Sequence, residues 1–131
     1  MKTILLVDDE PMVLRIMRQA LEKDGYQITT AFDGTEALEK MVVSQPDVLI
    51  TDIDMPRMTG KELCLRIQAA MPDRCFPIFI MTSLTALEHR DWSGEITNLT
   101  FIEKPISLRK LRGRLAELAA SPSAATVRAA E

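Results

Sequence analysis

Short runs of consecutive hydrophobic residues alternate along this chain with segments in which hydrophobic residues recur every three or four positions. The continuous runs are typical of strands that are buried on both faces of a sheet, and the spaced pattern is typical of helices that bury one face. The predicted strands are Ile4–Val7, Gln27–Ala31, Pro46–Asp52, Phe76–Met81 and Leu99–Ile102.

A signal for the start of a helix follows each predicted strand. Pro11 suits the first turn of a helix, and Asp33, Thr59 and Thr85 each precede a glutamate by three positions, which is typical of capped helix N-termini. Ser107 is the predicted cap of the last helix. The sequence therefore predicts five strand-helix units, of which the fourth has a short helix.

This alternation predicts an α/β fold, because right-handed crossovers place helices on both faces of a parallel sheet. For five strands we expect the flavodoxin-like doubly wound order 2-1-3-4-5, with five helices. The length of 131 residues and the hydrophobic content of 47% suit a single core, so we expect one domain over residues 1–119. Residues 120–131 have no hydrophobic stripe and are expected to form a disordered tail.

Polar residues end the predicted strands, and the expected strand order brings them to one edge of the sheet. Asp8 and Asp9 follow the first strand and Asp52 ends the third, while Thr82 and Lys104 follow the fourth and fifth. The first and third strands are neighbours at the switch point, where ligands bind in open α/β sheets. We therefore expect these five residues to converge on one site.

Three carboxylates in one site repel each other by roughly 4 kcal/mol for each pair 4 Å apart at an effective dielectric of about 20. Lys104 supplies a single positive charge, so the imbalance favours a divalent cation, and an all-oxygen site indicates Mg²⁺ with Mn²⁺ as the alternative. A carboxylate beside such a cation and a lysine is arranged for phosphoryl transfer, with Asp52 as the nucleophile. An alternative role for Asp8 and Asp9 is to cap the helix that begins at Pro11.

The chain resembles the receiver domain of two-component response regulators from about Lys2 to Leu118. Four motifs carry the resemblance together: LLVDDE at residues 5–10, D-x-D-M-P-x-M-x-G at residues 52–60, Met81-Thr82-Ser83 and Lys104-Pro105. The resemblance implies a phosphoprotein of a histidine-aspartate phosphorelay. Asp52 would accept a phosphoryl group from a phosphohistidine on a sensor histidine kinase or a phosphotransfer protein. Self-phosphorylation and self-dephosphorylation would depend on Mg²⁺.

The same resemblance implies a role for each residue at the sheet edge. Asp9 and Asp52 would bind Mg²⁺ through their carboxylates, Asp54 through its backbone carbonyl, and Asp8 mainly through water. Lys104 would bind a phosphoryl oxygen, with its side chain aimed inward by a cis peptide bond to the following proline.

Thr82 and Phe101 are the switch residues that the resemblance implies. Thr82 would move to hydrogen-bond the phosphoryl group, and Phe101 would turn inward into the vacated space. The surface of the fourth helix, fifth strand and fifth helix would then change shape for an unknown downstream protein. The alternatives are that Phe101 is an ordinary core aromatic residue and that Thr82 is only a hydroxyl at a helix start.

Two features depart from the family pattern. The stretch after Thr82 lacks the Gly-Ala pair that many members carry before the fifth strand, so an unusual fourth helix and following loop are expected. It contains His89, expected to be a solvated helix residue, and Trp92, which suits either an exposed anchor for a partner or a packing role. Asp54 is acidic where the family more often has Met or Asn, and we expect its charge to change the lifetime of the phosphorylated state.

Composition and charge argue against several other classes of function. The net charge is -3, with 16 basic and 19 acidic residues mixed along the chain, so no positive stripe suits direct nucleic-acid binding. The first hydrophobic run ends at Asp8 and is too short for a signal peptide or a membrane span. Cys64 and Cys75 lack metal-binding spacing and are expected to be packing residues. We expect a cytoplasmic protein without membrane contact.

Two other functions are compatible with these residues. Asp52-Ile53-Asp54 resembles the nucleophile and acid/base pair of haloacid-dehalogenase-like phosphatases, but the acidic pair here precedes the nucleophile and no cap domain fits. The second alternative is a receiver-like interaction module that is never phosphorylated. We expect a stand-alone receiver without an attached output domain; a longer natural chain, with the tail as the start of a linker, is the alternative.

Overall fold

Five strands and five helices alternate along the chain in the computed structural model, which describes residues 2–83 and 90–120. The strands are β1 (Thr3–Val7), β2 (Gln27–Ala31), β3 (Val48–Asp52), β4 (Ile78–Thr82) and β5 (Leu99–Glu103). The helices are α1 (Pro11–Glu22), α2 (Gly34–Val43), α3 (Gly60–Ala70), α4 (Arg90–Ser93) and α5 (Leu108–Ala120).

The sheet is parallel, and its strands follow the order β2-β1-β3-β4-β5. The predicted flavodoxin-like fold is therefore confirmed. Its register places Val7 opposite Thr51, and Asp52 opposite Met81. The C-terminal ends of β1, β3 and β4 consequently lie side by side at one edge of the sheet.

Successive strand residues face opposite sides of the sheet, and each side buries its own hydrophobic cluster. On one side, Leu6 and Ile50 pack with residues of α1 and α5. On the other side, Leu5 and Leu49 pack with residues of α2 and α3 and with Trp92 of α4. Burial on both faces explains why the central strands β1, β3 and β4 appear in the sequence as nearly continuous hydrophobic runs.

The helix starts follow the predicted capping residues wherever the structure describes them. The side chain of Asp33 accepts the backbone N–H of Glu36 at 2.9 Å, and Thr59 forms a capping box with Glu62. The side chain of Ser107 accepts a backbone N–H from the first turn of α5 at 3.2 Å. Each of these bonds satisfies a donor that has no partner within its own helix.

β4 begins two residues later than predicted. Pro77 has no N–H to donate to a neighbouring strand, so the ladder starts at Ile78, whose N–H bonds to the carbonyl of Asn98 at 2.9 Å. Phe76 is nevertheless buried. β4 also continues to Thr82, one residue past the predicted end.

Some sequence-based expectations fall on residues that the structure does not describe. They are the start of the fourth helix at Thr85, the exposure of His89, and the tail, which lies beyond α5 except for Ala120. Cys64 is buried as expected, whereas Cys75 is exposed, so its predicted packing role is wrong. Among the described residues, no helix combines the length and apolar character needed to cross a membrane.

Gly60, the first residue of α3, lies against the end of β3. A Cβ atom at this position would lie 2.4 Å from the backbone oxygen of Asp52 and 2.8 Å from the Cα atom of Ile53. The N–H of Gly60 also donates to the carbonyl of Ile53 at 2.9 Å. The placement of Asp52 against α3 therefore requires a residue without a side chain.

We expect Gly60→Ala to lower the free energy of unfolding by about 2 kcal/mol, because the added methyl group meets backbone atoms that cannot rotate away. Gly113→Ala in α5 is the matched control, since no atom lies within 4 Å of its Cβ position. Helix propensity should make that variant more stable by roughly 0.5–1 kcal/mol. Urea denaturation followed by circular dichroism measures both changes. Equal effects of the two substitutions would contradict the close-approach explanation.

Candidate functional site

Three carboxylates meet at the C-terminal edge of the sheet, between β1 and β3. Asp8 and Asp9 follow β1, and Asp52 is the last residue of β3. One carboxylate oxygen from each lies within 4.8 Å of the others. Asp8 and Asp52 are each only 3% exposed, whereas Asp9 is exposed. We call this group the acidic centre; it is accessible from solvent on the side of Asp9.

Lys104 supplies positive charge to the acidic centre. Its Nζ lies 2.6 Å from Oδ1 of Asp52, the oxygen that also accepts the backbone N–H of Ile53 at 2.9 Å. The backbone N–H of Lys104 donates to the carbonyl of Thr82 at 2.8 Å. The bond from Lys104 to Pro105 is cis, as the resemblance implied. The lysine is therefore held through both its backbone and its side chain.

The surrounding carboxylates favour the charged form of Lys104. Burial alone would lower the pKa of Lys104, but the hydrogen bond to Asp52 and the negative charges of Asp52, Asp8 and Asp54 outweigh burial and raise that pKa. Asp54 acts from an exposed position in the loop that follows β3. Its carboxylate therefore contributes to the field at the site, although the expected metal ligand is its backbone carbonyl.

Burial dominates the ionisation of Asp8 and raises its pKa to about 6. The next largest effect is the hydrogen bond from Glu10, which lowers this pKa. Smaller effects follow in the order Asp52, Lys104 and Asp9: the negative charges of the two aspartates raise the pKa, and the positive charge of Lys104 lowers it. The Glu10 N–H lies 2.9 Å from Oδ1 of Asp8, directly before α1. Asp8 thus bonds the backbone at the start of a helix, as the capping alternative supposed, while it also belongs to the acidic centre.

The two expected switch residues lie on neighbouring strands. Thr82 is fully buried at the end of β4, and Phe101 is half-buried in β5, opposite Ile80. The ring of Phe101 contacts that of Trp92 in an edge-to-face arrangement, with centroids 6.1 Å apart and planes at 81°. Trp92 is only 6% exposed, which supports its packing role over that of an exposed anchor. The switching roles of Thr82 and Phe101 stay predictions.

One ion pair at this edge of the sheet was not predicted from the sequence. The guanidinium of Arg57, in the loop after β3, pairs with the buried carboxylate of Asp33 at the start of α2. The sequence predicts only a helix-capping role for Asp33. Arg57 stands at an unspecified position of the D-x-D-M-P-x-M-x-G motif, and the partners lie 24 positions apart, so no local spacing rule links them.

The donor atoms of the acidic centre suit a hard divalent cation. Carboxylate oxygens are ligands that Mg²⁺ prefers, and Mg²⁺ usually retains positions for water and phosphate oxygens. A groove of about 320 Å³ opens beside Asp8 and Lys104, lined mainly by hydrophobic side chains of α1 and of the segment that leads into α5. An acidic centre with a lysine beside an open groove is suited to phosphoryl chemistry.

Comparison with known proteins identifies relatives along most of the chain. A family model described as the response regulator receiver domain matches residues 4–116. The response regulator MprA of Mycobacterium ulcerans is 33% identical over 115 residues, which make up 88% of this chain and 49% of MprA. The chain spans about half the length of the curated relatives it matches.

Two solved structures illustrate the likeness in three dimensions. The chemotaxis protein CheY4 of Vibrio cholerae is 30% identical with a TM-score of 0.80, and the match covers 89% of this chain and 98% of CheY4. The response regulator protein TrrA of Thermotoga maritima, solved in complex with Mg²⁺-BeF, is 30% identical with a TM-score of 0.77. That match covers 90% of this chain and 99% of TrrA.

The region matched by the family model extends from β1 into α5 and therefore includes the acidic centre. The motifs that carried the resemblance lie within the same region, at the ends of β1, β3, β4 and β5. Sequence, fold and relatives lead to one conclusion: the chain belongs to the response regulator receiver domain family of two-component signalling.

Proposed function

We propose that Asp52 accepts a phosphoryl group from a phosphohistidine on a sensor histidine kinase or a phosphotransfer protein. The observation that carries the proposal is the 2.6 Å contact between Asp52 and Lys104 beside the carboxylates of Asp8 and Asp9. Asp52 is the carboxylate that the lysine engages directly. The groove beside Asp8 and Lys104 would give a phosphodonor protein a contact surface next to the site.

Asp9 and Asp52 would hold Mg²⁺ through their carboxylates, Asp8 mainly through water, and Asp54 through its backbone carbonyl. The bound cation would offset negative charge on the phosphoryl oxygens; Mn²⁺ accepts similar oxygen ligands. The raised pKa of Asp8 supports this assignment, because burial makes its ionised form unfavourable unless a cation compensates it.

In the transfer step, a carboxylate oxygen of Asp52 forms a bond to phosphorus while the bond between phosphorus and the histidine nitrogen breaks. The leaving imidazole retains the electron pair of that bond and takes up a proton from solvent. The Lys104 ammonium, already at the carboxylate, would move its hydrogen bond to a phosphoryl oxygen. Water would later hydrolyse the acyl phosphate and restore Asp52.

We propose further that phosphorylation is transmitted to an unidentified downstream protein through the surface formed by α4, β5 and α5. A direct bond between the ends of β4 and β5 supports this proposal, because the carbonyl of Thr82 accepts the backbone N–H of Lys104. Thr82 is also fully buried, so a movement of its side chain would disturb the residues packed around it. Phe101 contacts Trp92 in α4, so a movement of Phe101 would alter the packing of that helix.

Incubation with acetyl phosphate and Mg²⁺ tests the proposed function. We expect one phosphoryl group per chain by intact mass spectrometry, followed by slow decay, and none in Asp52→Asn or when EDTA is present. Repeated turnover of a phosphomonoester would instead indicate a phosphatase. Failure of both acetyl phosphate and beryllofluoride to change the wild-type protein would indicate an interaction module that is never phosphorylated.

Asp54→Asn is expected to change the decay rate of phosphorylated Asp52 by at least about threefold, in either direction, which corresponds to roughly 0.7 kcal/mol in the barrier. The physical reason is the loss of a negative charge that already acts on Lys104. Asp73→Asn removes the same charge from an exposed turn after α3 and serves as the control. Equal decay rates for wild type and Asp54→Asn would rule out a role for this side chain.

Asp8→Asn is expected to stabilise the metal-free protein at pH 8 by about 1–2 kcal/mol, because it removes a buried charge. The folded-state pKa of Asp8 is about 6, against an ordinary value of 3.8, so the folded protein holds this proton more tightly. Protonated Asp8 therefore makes its full contribution to the free energy of unfolding below about pH 4, and this contribution is lost as the pH rises through about 6. The advantage of the variant should therefore shrink towards pH 4.

Urea denaturation in EDTA from pH 4 to 8 measures this effect, and Asp9→Asn, at an exposed carboxylate, should change stability less. Addition of Mg²⁺ should stabilise wild type more than Asp8→Asn. A stability difference that does not vary with pH would contradict the explanation.

A further inference from the structure

The loop that follows the phosphoacceptor strand contains a strained residue. This β3–α3 loop comprises residues 53–59, and within it Arg57 adopts a φ of 66°. The N–H of Met58 donates to the carbonyl of Pro56 at 2.7 Å, so Arg57 is the central residue of a three-residue turn. A residue with a Cβ atom is sterically strained in this conformation, and such strain occurs often at functional sites.

The strained residue is also held by an ion pair. The guanidinium of Arg57 bonds to Oδ2 of Asp33, and the other oxygen of Asp33 accepts the backbone N–H of Glu36 at 2.9 Å. The Asp33 side chain is only 3% exposed, whereas that of Arg57 is 73% exposed. Arg57 thus reaches from the loop to a buried carboxylate that is fixed at the first turn of α2.

Two further contacts fix the loop beside this pair. The side chain of Met58 covers Gly34 so closely that a Cβ atom there would lie 2.7 Å from Sδ of Met58. At the base of the loop, the N–H of Gly60 donates to the carbonyl of Ile53 at 2.9 Å. The loop is therefore attached to α2 at two adjacent residues and to its own strand at the base.

The same loop carries Asp54, which the proposed function makes a metal ligand through its carbonyl. Asp54 lies close enough to the acidic centre to act on it, because the charge of Asp54 is one of those that raise the pKa of Lys104. Arg57 lies three positions after Asp54. A displacement of the turn at Arg57 would therefore move the peptide that presents the Asp54 carbonyl.

We propose that Arg57 is a positioning residue that clamps the β3–α3 loop to α2 through Asp33 and so holds the Asp54 carbonyl in place for Mg²⁺. This inference rests on the proposed function. Arg57 touches neither the metal nor the phosphoryl group. Outer-shell contacts that orient metal ligands commonly change metal affinity by about 10-fold or more when they are removed.

The clamp differs in a measurable way from an ordinary surface ion pair. If the pair only stabilised the fold, its loss would lower stability and leave Mg²⁺ binding unchanged. Arg57→Gly removes the clamp and relieves the backbone strain, since glycine adopts a positive φ without steric cost. It also leaves the buried Asp33 carboxylate without its cationic partner, which opposes the gain in thermal stability. The discriminating result is therefore a fall of about 3- to 10-fold in Mg²⁺ affinity.

The test compares wild type, Arg57→Gly, Asp33→Asn and the double variant by Mg²⁺ titration and by amide hydrogen exchange. Asparagine at position 33 retains the helix cap and removes only the charge. We expect both single variants to bind Mg²⁺ more weakly, the double variant to be no weaker than the poorer single variant, and the Met58 and Gly60 amides to exchange faster in all three.

Asn98→Gly is the matched control, because Asn98 is the other non-glycine residue with a positive φ, 55°, in the part of the chain that the structure describes. It should relieve strain without altering Mg²⁺ affinity or the two amides. The clamp would be overturned if the Met58 and Gly60 amides exchanged at the wild-type rate in Arg57→Gly. It would also be overturned if these amides exchanged faster while Mg²⁺ affinity stayed within about twofold of wild type. Wild-type protein that neither binds Mg²⁺ nor reacts at Asp52 would instead overturn the proposed function, and this inference with it.

Discussion

The gathering of like charges at one edge of the sheet is the constraint on which the rest of the site depends. The strand order makes β1 and β3 neighbours, which brings the carboxylates of Asp8, Asp9 and Asp52 within 4.8 Å of one another. A fold optimised for stability alone would avoid this arrangement, because like charges in a partly buried site repel and lose hydration. The arrangement therefore lowers stability, as is common at functional sites.

Two glycines allow neighbouring segments around the acidic centre to pack closely against each other. Gly60 allows the first turn of α3 to contact the end of β3, and Gly34 allows Met58 to cover the first turn of α2. Both contacts bring loop residues within a few ångströms of strand or helix backbone. The side chains of the site are thus presented by peptide units that have little room to move, which favours a preorganised site.

The fold could be predicted because the central strands β1, β3 and β4 are buried on both faces, and because the starts of α1, α2, α3 and α5 carry local signals, such as the capping box of Thr59 and Glu62. The convergence of Asp8, Asp52 and Lys104 followed from strand order. Other properties depend on tertiary packing. The Arg57 pair with Asp33 and the raised pKa of Asp8 arise from distances between segments far apart in sequence, which no periodicity encodes.

The two cationic side chains beside the end of β3, Lys104 and Arg57, differ in what they bind, and this difference gives the proposed switch a direction. Lys104 bonds to Asp52 itself, so a phosphoryl group on Asp52 would change its partner. Arg57 bonds to Asp33, which lies outside the acidic centre. The side of the site at α2 would therefore stay fixed. Movement would pass through Lys104 and its backbone bond to Thr82, towards β5 and α5.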